Sequence, residues 1–151
     1  MINYKNWLNT IPKEISNDAV WNLKVYRAAL YISDLCWQDT QLIKDHRYFS
    51  LADQLYRAVG SISANITEGY SRKSLKEKAR FYEIALGSAR ESKGWYFKSR
   101  HILGAKLALH RIKLLTSVIK LLLSMITDKR SSAKISENKI DYLISELEHN
   151  L

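Results

Sequence analysis

Residues 74–104 read SLKEKARFYEIALGSARESKGWYFKSRHILG, and this stretch decides the fold. Ser74 and Glu77 stand at the spacing of a capping box, in which each side chain satisfies a free backbone amide at a helix start. No proline follows before Gly104, a residue that ends helices because it accepts a left-handed backbone. At about 100° per residue, Phe81, Ala85, Ser88, Ser92, Trp95 and Ser99 gather on one face. Lys76, Arg80, Arg90 and Lys98 lie on or near the opposite face, interrupted by Glu83 and Glu91. The pattern predicts one long helix with a core side and a basic side.

The same apolar spacing extends in both directions. Upstream, Val20, Leu23, Tyr26, Leu30 and Leu35 predict a helix over 18–36, capped by Asn17 or Asp18. The polar run 38–47 then reads as a loop. A second helix is expected from Ser50, with Asp53 completing a weak capping box and Gly69 ending the helix. Gly60 and its small neighbours, and likewise Gly87 and Gly94 further on, read as points of close packing or kinking. Downstream, 105–126 predicts a fourth helix with a narrow polar stripe of Lys106, His110, Lys113, Ser117, Lys120 and Ser124. Opposite lie Ala108, Ile112, Leu115, Ile119, Leu122 and Ile126. A second apolar strip of Leu107, Leu114, Val118, Leu121 and Met125 exceeds what a small bundle has to bury, which points to self-association. After Thr127 comes a charged, Ser-rich linker, then Ile140, Leu143, Ile144 and Leu147 on a short amphipathic helix. The expected organisation is an N-terminal arm (1–17), an all-α, antiparallel up-and-down four-helix bundle (18–126), and a linker with a short C-terminal helix or tail (127–151).

At 151 residues, 46% hydrophobic and 26% charged, with five glycines and one proline, the chain has the make-up of one helical domain. The single cysteine, Cys36, excludes an internal disulfide and reads as a buried, inert thiol. No 18-residue apolar run and no signal-like N-terminus is present, so the expectation is a cytoplasmic protein with no membrane partner. Charge is unevenly placed. Residues 1–70 hold 7 basic and 7 acidic side chains, 71–134 hold 16 and 4, and 135–151 hold 1 and 4. A net +12 over residues 71–134, confined to one half of the molecule, is what attracts a polyanion.

Enzyme chemistry finds little support. His46, His101, His110 and His149 lack metal-ligand spacing, and Glu146-x-x-His149 is a single copy near the C-terminus rather than a paired di-metal motif. There is no phosphate-cradling glycine loop. No catalytic residue, metal or cofactor is expected. The turn Asn65-Ile66-Thr67-Glu68-Gly69-Tyr70-Ser71-Arg72-Lys73-Ser74 offers Asn65 and Glu68 to tie it down. It sets Arg72 and Lys73 before a helix start, where an anion is favoured; Glu68 pairing with Arg72 is the simpler alternative. Basic residues interleave with aromatics over 93–101, as on single-strand binding surfaces. Trp95 and Tyr96 continue the core face, whereas Phe97 lies off it, able to stack on a base or fill an interface.

Ile62-Ser63-Ala64-Asn65-Ile66-Thr67-Glu68-Gly69-Tyr70-Ser71-Arg72, with Ser74, Phe81-Tyr82-Glu83-Ile84-Ala85-Leu86-Gly87-Ser88 and Glu91, resembles the four helix bundle protein family, also called the 23S rRNA intervening-sequence protein family. Trp21-Asn22-Leu23-Lys24-Val25-Tyr26-Arg27-Ala28-Ala29 resembles its first-helix motif, and Gln54-Leu55-Tyr56-Arg57-Ala58 the start of its second. The resemblance covers 18–126. It implies assembly of the bundle into a homopentameric barrel and a relation to the accessory variability determinants of diversity-generating retroelements, which bind nucleic acid and associate with a reverse transcriptase. Arg90-Glu91-Ser92-Lys93-Gly94-Trp95 departs from the commoner, more acidic stretch at that place and adds positive charge.

The function expected is therefore a non-enzymatic homo-oligomer binding RNA or DNA through Arg72, Lys73, Lys76, Arg80, Arg90, Lys98, Lys106, Lys113 and Lys120, with a reverse transcriptase as a further partner. The alternative is a protein-interaction scaffold whose basic surface meets an acidic protein.

Overall fold

A computed structural model describes residues 3–130, and among them every regular element is helical. Two short helices, α1 (Tyr4–Leu8) and α2 (Lys13–Ser16), and a 3-10 turn (Ala19–Asn22) precede four long ones. These are α3 (Lys24–Asp45), α4 (Phe49–Ser71), α5 (Leu75–Leu103) and α6 (Ala105–Arg130). Each long helix packs on the next, and α3 also meets α5 and α6, so one core is shared. It is built from Ile32, Leu35 and Ile43 of α3, Leu55, Val59, Ile62 and Ile66 of α4, Ala85, Ala89 and Tyr96 of α5, and Leu115, Val118 and Leu122 of α6. None of the described helices is long and apolar enough to cross a membrane.

Several boundaries differ from expectation. Asp18 does cap, its Oδ1 accepting from the Val20 amide at 3.0 Å, but what it caps is the 3-10 turn. Leu23 is extended (ψ 113°), so α3 starts only at Lys24. It then runs on to Asp45 through most of the polar stretch expected to be a loop, because Asp39, Thr40 and Ile43 keep the buried register of Ile32, Leu35 and Cys36. The reversal into α4 is made by Arg47 in the left-handed region (φ 63°), with no glycine to signal it.

Asp53 does not cap α4; it faces Arg57 at 3.7 Å on the surface. Gly69 does not end α4 either. It is buried inside the helix, where an added Cβ would come within 2.8 Å of Tyr82 Cε1 and 3.0 Å of Phe81 Cβ, so its lack of a side chain lets α5 approach. Gly60, Gly87 and Gly94 are not close-packing points: a Cβ at any of them would meet nothing within 4 Å. Ser74 has N-cap backbone geometry without a side-chain bond, so the capping box is not closed. Gly104 ends α5 as expected, with φ 83° and its amide on Arg100 O at 3.0 Å.

The N-terminal segment shares the core. Trp7 is 2% exposed, stacks with Tyr4, meets Trp21 and Tyr31, and donates from Nε1 to Asp34. On α6 the second apolar strip is taken up within the chain, since Leu114, Val118 and Leu121 are buried and Leu107 and Met125 half-buried. It therefore needs no second copy. α6 continues past Ile126 to Arg130, and the expected short helix at 140–147 lies outside the described residues.

Candidate nucleic-acid interface

α5 keeps Ala85, Ala89, Ser92, Tyr96 and Ser99 inside, which forces the positions between them outward. Lys76, Arg80, Arg90 and Lys98 are all exposed and fall within an arc of about 80° when the helix is taken at 100° per residue. From first to last they span about 33 Å of helix axis. Among the described residues none of the four forms an ion pair. Of the carboxylates on this side, Glu91 accepts from Trp95 Nε1 at 3.1 Å.

α6 packs along α5 and presents Lys106, Lys113 and Lys120 at seven-residue intervals, all exposed and within about 40° of one another. The expected polar stripe is only partly polar surface. His110 and Ser117 are buried, and Leu109 and Leu123 stand exposed beside the lysines.

The turn between α4 and α5 holds Arg72 in place rather than offering it. Its guanidinium pairs with Glu68 and lies 5.0 Å over the Phe81 ring. Lys73 beside it is exposed. Asn65 does not brace the turn; its Nδ2 donates back along α4 to Ser61 O at 2.7 Å and Ser61 Oγ at 3.0 Å. Ser61 Oγ in turn accepts from Ser88 Oγ at 3.1 Å, which ties α4 to α5.

Sequence reasoning passed over the most elaborate polar arrangement, which lies inside. Arg111 grips Asp39 with two parallel bonds, Nε to Oδ2 at 2.8 Å and Nη2 to Oδ1 at 3.1 Å. Tyr96 donates its hydroxyl to Asp39 Oδ2 at 2.9 Å. Arg111 Nη1 faces His110 Nδ1 at 2.7 Å; a guanidinium can only donate, so Nδ1 accepts and the ring proton sits on Nε2. That Nε2 has no partner among the described residues. Burial, followed by the adjacent Arg111 charge, lowers the His110 pKa to about 4. Cys36 is buried as expected, and burial pushes its thiol up to about 12, its contact with Tyr96 offsetting only part of this. The cluster joins α3, α5 and α6. Its signal in the sequence was register: Asp39 follows Cys36 by three residues, and Arg111 sits between Ala108 and Leu115 at core spacing.

These observations define an all-α protein with a charge-paired core and two outward rows of cations on adjacent helices. A family model for the 23S rRNA-intervening sequence protein matches residues 21–124, and the chain belongs to that family. No curated protein and no solved structure matches it.

Proposed function

We propose that the chain is a non-enzymatic, homo-oligomeric helical bundle that binds RNA or DNA through the outward faces of α5 and α6. Connections of three, three and one residues between helices that pack on their neighbours support an up-and-down arrangement. The observation that carries the binding proposal is the exposed row Lys76, Arg80, Arg90 and Lys98, continued on the next helix by Lys106, Lys113 and Lys120. Such contacts are made to phosphates and give affinity with little dependence on base sequence. Lys73 extends the row at the helix start, whereas Arg72 serves the turn.

Gly87 and Gly94 strengthen this reading. Both lie on the exposed arc, and each costs the helix about 0.5–1 kcal/mol relative to alanine. No contact within the described chain requires their missing side chains. A backbone left bare between Arg80, Arg90 and Lys98 allows a polyanion to come close. Self-association is supported by a separate set of exposed rings, Trp37 of α3 in contact with Tyr56 of α4, and Phe49 two turns before Tyr56 on the same helix. A role beside a reverse transcriptase rests on family resemblance, and the coding neighbourhood tests it.

The binding experiment is a fluorescence anisotropy titration of labelled RNA and DNA oligonucleotides with the full chain and with Arg90→Glu/Lys98→Glu. The double reversal weakens binding about tenfold without moving the unfolding midpoint. Unchanged affinity contradicts the proposed surface.

A further inference from the structure

Among the aromatic residues of α5, Phe97 is the exposed one. It is 56% exposed, although an aromatic ring gains most by burial, and it lies only about 20° around the helix from Arg90. Arg100 folds back over it. The guanidinium carbon stands 3.9 Å from the ring centroid, and Nη1 donates to the Phe97 carbonyl at 2.6 Å. Beside it, Lys98 Nζ sits 4.1 Å over the Trp95 ring. The end of α5 thus presents an open aromatic ring backed by a fixed planar cation, among Arg90, Lys93, Lys98 and His101.

From this geometry we infer that Phe97 and Arg100 form a base-stacking platform, which makes the ligand an unpaired strand rather than a duplex. The inference rests on the nucleic-acid reading above and narrows it. Stacking needs a free planar face: bases in a duplex are already stacked on each other, whereas those of a single strand are accessible. The bond to the Phe97 carbonyl fixes the guanidinium over the ring, and its charge attracts a nearby phosphate. Charge also argues against a symmetric contact of two copies here, because each would bring its cluster of cations against the other's.

The test is anisotropy of the full chain with a labelled 20-nucleotide single strand and its duplex at one salt concentration, for the native protein, Phe97→Leu and Phe97→Tyr. The single strand binds the native protein more tightly than the duplex. Phe97→Leu loses about tenfold on the single strand and nothing on the duplex, and Phe97→Tyr keeps the native affinity. Equal loss on both ligands, or on neither, overturns the platform while leaving the basic surface intact. A change of sedimentation coefficient in Phe97→Leu overturns it in favour of a second copy as the occupant. Absence of binding by the native protein to either ligand removes the underlying reading as well.

Discussion

Arg111 and Lys113 stand two residues apart on α6 and meet opposite fates. Arg111 is buried and held by a carboxylate and a histidine, whereas Lys113 is exposed on the outer row. The same composition thus serves two purposes. Cations in the core register of a helix are used up by internal carboxylates, and only those out of register are displayed to a partner. A regional charge count cannot separate the two kinds; the period of the helix can.

The sharpest way to break the contrast is from inside. Arg111→Met leaves Asp39 buried without its two-pronged partner and should cost about 3–5 kcal/mol, read as a lowered denaturation midpoint. Adding Asp39→Leu should recover much of it, since the uncompensated charge is then gone. Nucleic-acid affinity per folded molecule should stay put, and a midpoint unaffected by Arg111→Met would show that the pair contributes nothing.

Next in size is acid sensitivity. Between pH 6.5 and about 4, His110 is neutral in the folded chain and protonated in the unfolded one. The unfolded state therefore binds the extra proton, and stability falls as pH drops through this window, by about 3 kcal/mol in all. His110→Gln should flatten that part of the stability–pH curve, measured by urea denaturation at a series of pH values. An equally steep decline in the variant would assign the acid response to other groups.

Smaller still, and of opposite sign, are the outer glycines. Gly87→Ala and Gly94→Ala should each raise stability by about 0.5–1 kcal/mol, because the helix gains and nothing is displaced. If the bare backbone admits a phosphate chain, the same variants bind it more weakly. Stabilisation with full affinity would remove the glycines from the contact surface.

Much of this was legible in the sequence. The α5 pattern gave the long helix, its stop at Gly104 and the outward placement of Lys76, Arg80, Arg90 and Lys98, all because a 3.6-residue period leaves little choice. Two of the misreadings share a cause. The polar composition of 38–47 suggested a loop, but Asp39 remains in the helix core because Arg111 and Tyr96, far away in sequence, satisfy it. Gly69 looked like a local stop and proved to be a tertiary requirement, set by Tyr82 on the next helix. Arg47 makes the α3–α4 turn with a residue type that carries no turn signal. Local pattern is readable when local energetics decide; partners distant in the chain overruled it at Asp39 and Gly69, whereas at Arg47 nothing local announces the turn.

The central claim is that the α5 and α6 cations neutralise phosphates, and the salt dependence of binding tests it most directly. For a single strand, log affinity against log salt should fall with a slope of about −3 or steeper, as four or more phosphate contacts require. Arg90→Glu/Lys98→Glu should make that slope shallower by about 1.4, the share of two contacts. A flat line for the native protein, or one that the double reversal leaves unchanged, would contradict the account.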